Sequence, residues 1–147
     1  MENKLKTLIE KYQNAKRLEI NNKKFFDETI FDSVLSAAIF DEVNISNLDF
    51  EETDFLSSHF RNCVFKNCRL KNMLLRKCEF WMCTFQNCEI VNCEISKVEF
   101  TDHTFDNCQF SKVDLDWSHI QDCEFLETEL TGLNFNATIV SGLKIKK

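Results

Sequence analysis

From Ile30 to Ile145 every fifth residue is large and apolar. The register opens Ile30, Leu35, Phe40, Ile45, Phe50 and Phe55 and ends Leu130, Phe135, Val140 and Ile145, giving 24 positions without an exception. Apolar residues make up 44% of the chain. By chance such a run would arise with a probability on the order of 10⁻⁸. The period matches neither a helix, near 3.6, nor a strand, near 2. A unit of five residues is too short to bury its own phenylalanine. Such units have to stack, each coil covering the face of the next.

A second column runs two residues ahead of the first. It begins Val43, Leu48, Thr53, Ser58, Cys63 and Cys68, and most of its members are small or slim. All eight cysteines of the chain fall in it. The chain has two Gly and no Pro, so its many turns need another residue to support them. Asparagine does so, and Asn47, Asn67, Asn87 and Asn107 recur at one turn position, ending in Glu127.

Segments such as Cys63-Val64-Phe65-Lys66-Asn67, Cys83-Thr84-Phe85-Gln86-Asn87 and Cys88-Glu89-Ile90-Val91-Asn92 place a small residue, any residue, a large apolar residue and two polar ones in order. This pattern resembles the pentapeptide-repeat family. The chain uses Cys where the family favours Ala, and seldom has Asp or Asn in second place, although Asn44, Asp49, Asp54, Asp114 and Asn134 keep that character. The resemblance implies an all-β solenoid, a right-handed quadrilateral β-helix with four pentapeptides per coil. Large side chains then point inward and small ones sit at the corners. Coils stack about 4.8 Å apart, as hydrogen-bonded strands do.

Counting by twenties predicts two aromatic ladders. One holds Phe40, Phe60, Phe80 and Phe100; the other holds Phe65, Phe85, Phe105 and Phe125. Phe60, Phe65, Phe80, Phe85, Phe100 and Phe105, with Cys63, Cys83 and Cys88, are the expected structural core. Residues 26–147 are assigned to about six coils, with Lys23, Phe26, Glu28 and Phe31 fitting the first coil badly. Residues 1–20 read as an amphipathic helix, with Leu5, Leu8, Ile9, Tyr12 and Ala15 on one side. It is placed as a cap over the N-terminal coil, touching Phe26 and Phe31, because an open solenoid end exposes unpaired backbone.

The cysteines invite a metal or redox reading, but their spacings are multiples of five and contain no C-x-x-C pair. They are expected to be buried, reduced thiols. His103 is the odd member of the small column, and a bulge or a partly exposed ring is expected there. A Cys83–His103–Cys123 metal site would lack a fourth ligand. Acidic residues such as Glu51, Glu52, Asp114 and Asp116 read as a solvated face. No nucleophile–base arrangement or Gly-rich phosphate loop is present in the sequence. The expectation is therefore a protein that is not an enzyme and holds no cofactor or metal.

Outward apolar residues point to contact. Leu56, Leu74 and Trp117 are placed on the face carrying Phe55, Leu75 and Leu115 or at its edge, and Trp81 and Met82 on another. The net charge of −6 is uneven. Residues 27–54 hold nine acids and no base, and residues 79–129 hold twelve acids and two bases. Arg61, Lys66, Arg69, Lys71, Arg76 and Lys77 form a basic belt between them. The reading is a scaffold that binds a protein partner, with a homodimer formed through the C-terminal coil and no direct contact with nucleic acid or membrane. The second reading follows from the resemblance: a bacterial DNA mimic that modulates a type II topoisomerase (gyrase) and protects it from quinolones or a toxin. The belt counts against that reading, because a surface built for phosphates repels it. With no apolar leader or spanning segment in the sequence, the expected location is cytoplasmic.

Overall fold

A computed structural model describes residues 4–12 and 17–147. The chain forms a right-handed quadrilateral β-helix of about six turns preceded by one short helix. Most strands are three residues long, with the middle side chain inward and its two neighbours outward. All strand pairs are parallel, and each residue lies beside the one twenty positions further on, as Phe60 lies beside Phe80.

Four faces result. The first is centred on Ile20, Phe40, Phe60, Phe80, Phe100, Ile120 and Val140, paired in that order. The second starts at Phe25 and the third at Ile30. Both lie on strand Lys24–Phe31, which runs unbroken around a corner and pairs with Asn44–Glu51. The fourth face, starting at Leu35, is held mainly by isolated bridges such as Asp54 to Leu74. Strand pairing begins at Glu19. The repeat therefore starts upstream of the expected residue 26, with Ile20 and Phe25 as its first buried centres.

The corners explain how the chain turns without proline. The second residue after a buried centre has a positive φ, between 47° and 64°, at 24 positions. Twelve of these are Asn or Asp, the residues that enter this left-handed region at least cost after glycine. The expected asparagine ladder is partial: Asn107 donates to Asn87 at 2.7 Å and Asn47 to Asp27 at 3.2 Å. Gly132 serves a different need. A Cβ there would lie 2.7 Å from Ser111 Cα and closer still to the Phe110 carbonyl oxygen.

Every centre from Ile30 to Phe125 is buried. On the first face Phe40, Phe60, Phe80 and Phe100 stack, with ring centres 4.7–5.1 Å apart and planes within 17°. The second ladder is interrupted, since Phe85 and Phe105 meet edge-on at 69°. His103 causes the break. It is wholly buried, contrary to the partly exposed ring expected, and its imidazole lies 4.8 Å from Phe85 and 4.4 Å from Phe105. Phe85 and Phe105 meet the imidazole edge-on, at 70° and 62°, and Phe100 is tilted to it at 55°.

Helix Leu5–Tyr12 buries Leu5 and Ile9 and packs on strand Lys24–Phe31. Ala15, expected on the same stripe, lies outside the described residues. Phe26 and Phe31 remain 57% exposed, so the helix does not cover them. Glu28 explains its misfit to the small column. Its carboxylate accepts hydrogen bonds from the amides of Leu5 and Lys6, both at 2.9 Å, which satisfies two free N–H groups of the helix start. At the other end, Leu130, Leu133, Phe135 and Leu143 are only partly covered, and Val140 and Ile145 are exposed.

Candidate interaction surface

Because each strand turns its two flanking side chains outward, every face carries straight rows of side chains along the rod. On the first face one row runs Ile39, His59, Glu79, Glu99, His119, Ile139. The other runs Asp41, Arg61, Trp81, Thr101, Gln121. The corner that follows adds Glu42, Met82, Asp102 and Asp122. With Glu19, this face and its corner carry seven carboxylates against one base, Arg61.

The neighbouring second face is nearly balanced, with Asp27, Asp106, Glu124 and Glu127 facing five lysines. The first face has the largest net negative charge; the third, with its corner, carries six carboxylates (Asp32, Asp49, Glu51, Glu52, Glu89 and Glu129) but also three bases, Arg69, Lys71 and Lys112. The basic belt is spread around the coil. Arg61 is on the first face, Lys66 on the second, Arg69 and Lys71 on the third, and Arg76 and Lys77 at the fourth and its corner. It encircles one coil and puts a single cation on the acidic face. Arg76 is paired to Asp54 at 2.7 Å and Arg69 to Glu89 at 3.4 Å.

Between the two rows of the first face lies a groove of about 350 Å³, lined by His59, Arg61, Glu79, Trp81, Glu99 and Thr101. Its floor is the backbone of Phe60 and Phe80. His59 Nδ1 is 2.9 Å from a Glu79 oxygen. Trp81 is 43% exposed and Met82, next to it, 50%.

The other outward apolar residues do not join this patch. Leu74 sits in a row of the fourth face between Asp54 and Glu94. Leu56 is half-buried there, and Trp117 is 67% exposed at that face's corner. Leu56 and Trp117 are three coils apart, about 14 Å at strand spacing. Met82 and Trp117 share one property: each holds a positive φ, 55° and 60°. Bulky side chains are disfavoured in that region, but nearly every corner of the coil holds it, Lys77, Lys97 and Lys112 included, so exposure and not backbone conformation sets these two residues apart.

The acidic face is not visible in a count of charges along the chain, which mixes the four faces of each coil. The signal lies in every twentieth outward residue, where Glu79 meets Glu99.

All eight cysteines are buried and free. All eight donate to a carbonyl of the coil before, as Cys63 Sγ does to Phe40 O at 3.4 Å and Cys88 Sγ to Phe65 O at 3.3 Å. Ser58, Ser118 and Thr128 use their hydroxyls in the same way. The small column is therefore also a donor column. Burial pushes the Cys93 and Cys123 thiols up to about 11 and Cys78 to about 12, so these thiols stay protonated and poorly nucleophilic. Among the described residues, no group of three or more His, Cys, Asp or Glu is arranged to hold a metal ion.

A family model described as a pentapeptide repeat region matches residues 58–135. No curated protein matches the chain. Among solved structures, a trypsin-treated form of QnrB1, a plasmid-mediated fluoroquinolone resistance protein, is 20% identical, with 82% of this chain and 73% of that one covered and a TM-score of 0.36. The pentapeptide repeat protein Rfr23 of the cyanobacterium Cyanothece 51142 is 13% identical over 88% of this chain and 85% of its own, with a TM-score of 0.33. HetL, a pentapeptide repeat protein involved in heterocyst differentiation regulation in a Nostoc strain, is 8% identical over 92% of each chain, with a TM-score of 0.31. Likeness at this level does not bear on function.

Proposed function

Since the chain belongs to the pentapeptide-repeat family, we propose that it is a non-enzymatic protein-binding module acting through its outer surface. The carrying observation is the exposed Trp81–Met82 pair within the acidic first face. An aromatic side chain on a rigid support loses little entropy on binding and anchors interfaces more often than most residues do. The inward side chains from Ile30 to Phe125 are buried against one another, so a partner meets the outer surface of the coils. Buried, unbridged thiols fit a reducing compartment, in line with a cytoplasmic protein. A second copy, docked at the last coil, is one proposed partner, and neither nucleic acid nor membrane is expected to bind directly.

Site-specific photocrosslinking in the native cell tests this reading. Probes at positions 81 and 117 should trap a discrete protein adduct, and a probe at Gln86 on the second face should not. The absence of adducts at both tryptophan positions would remove the binding-module reading.

The DNA-mimic reading gains one specific support. The basic belt places a single cation on the acidic face, so it opposes docking there less than the linear charge count implied. Inhibition of gyrase supercoiling by the purified protein, or relief of quinolone-trapped cleavage, would favour it. No effect at a large molar excess would exclude it.

A further inference from the structure

We infer that the groove beside Trp81 receives an arginine or lysine side chain from an extended cationic segment of the partner protein. The inference rests on the binding-module reading and names the chemistry of its partner.

Glu79 and Glu99 are in-register neighbours on adjacent strands. Like charges placed directly side by side destabilise a sheet, and no cation of the chain pairs with Glu99 among the described residues. Glu79 has only His59, an imidazole that is charged only when protonated. Across the groove stands Trp81, whose half-exposed indole supplies an aromatic surface for a cation. The groove's own cation, Arg61, stands beside Trp81 and forms no ion pair with Glu79 or Glu99 among the described residues, so two carboxylates and an indole against one guanidinium still suit a second guanidinium or ammonium on an apolar stem, which can place its charge on the acids and its methylenes on the ring.

The same field selects against other ligands. Duplex DNA and anionic lipid would both meet the seven carboxylates of this side. The acids continue along the rod at Asp102 and Asp122 on the following corner, so a segment lying along the axis meets further negative charge on successive coils.

The test is titration of the full chain with a ten-residue oligoarginine peptide, followed by calorimetry at low and moderate salt. The Glu79→Gln/Glu99→Gln variant is expected to bind about tenfold more weakly. Glu51→Gln/Glu52→Gln, which removes the same charge from the third face, should change affinity less than about twofold. Trp81→Leu should weaken binding more than Trp81→Phe, since only phenylalanine keeps an aromatic face. Equal losses in the two glutamate variants would show bulk attraction only and overturn the inference, as would equal affinity of the leucine and phenylalanine variants. If the peptide fails to bind while photocrosslinks still form at position 81, the cationic partner is wrong and the binding-module reading stands.

Discussion

At the residue scale His103 departs most from the repeat. Its neighbours in the corner stack are Cys83 and Cys123, and it is the one fully buried imidazole, with neither ring nitrogen hydrogen-bonded. Burial pushes its pKa down to about 3. The folded value lies below the unfolded one, near 6.5, so its contribution is complete above pH 6.5 and is lost as pH falls toward 3. Over that window the loss is on the order of 5 kcal/mol. His103→Leu removes the unpaired polar group, and leucine already fills an equivalent corner at Leu48. Denaturant unfolding should show the variant more stable by about 1–3 kcal/mol at neutral pH and its stability flatter between pH 6.5 and 3. Parallel pH curves for the two proteins would show that His103 is not the acid-sensitive group. The sequence marked His103 as odd but gave no depth, because the imidazole is enclosed by phenylalanine rings of its own coil, Phe100 and Phe105, and of the coil before, Phe80 and Phe85. It likewise marked the cysteines as small and buried, but not as hydrogen-bond donors. Their acceptors are carbonyls 23 residues earlier, as for Cys108 and Phe85. Ellman's reagent should accordingly react with almost none of the eight thiols in native protein and with all of them in denaturant; rapid native reaction would contradict their burial.

At the scale of the element, the strands and faces were legible because a five-residue period allows one inward centre per side. The helix was legible less completely. Its stripe of Leu5 and Ile9 predicted a cap, but its anchor could not be read, because Glu28 looked only like a poor repeat residue until it met the Leu5 and Lys6 amides. An eight-residue helix is too short to persist alone, so that carboxylate is expected to decide whether it stays docked. Glu28→Ala should cost about 1–2 kcal/mol, and hydrogen exchange at Leu8 and Ile9 should speed up while the distant coils stay protected. Unchanged protection would place the anchor elsewhere. The corners make a separate prediction. Met82 holds a left-handed conformation that asparagine adopts more readily, and the same corner one coil earlier is Asn62. Met82→Asn should raise stability by about 0.5–1 kcal/mol and weaken photocrosslinking at position 81. A gain in stability with crosslinking intact would mean that Met82 is strained without serving the interface.

At the scale of the whole molecule the two ends differ. The N-terminal coil is covered by a docked helix, whereas the last coil leaves Val140 40% and Ile145 52% exposed beside the unpaired edges of strands Ile139–Ser141 and Lys144–Lys146. Unpaired parallel edges above an apolar core are templates for another chain. A second copy offers the same surface, and a two-fold stack of this kind closes on itself without forming fibres. Charge selects among the ways of stacking. Lys144 and Lys146 line the edge of the second face, and Glu129 lies by the edge of the third. A two-fold axis through the corner between these faces brings lysines against glutamate, whereas an axis through the middle of the second face sets lysine against lysine. The expected result is a dimer by sedimentation at micromolar concentration, weakened by salt and reduced to monomer by Val140→Asp/Ile145→Asp. Because both positions are already exposed, the monomeric variant should unfold within about 1 kcal/mol of the unmodified chain. Lys144→Glu/Lys146→Glu should also weaken the dimer, and adding Glu129→Lys should restore it if the corner axis is correct. An unmodified chain that sediments as a monomer at that concentration excludes the stack and leaves the acidic first face as the surface on which a partner is to be sought.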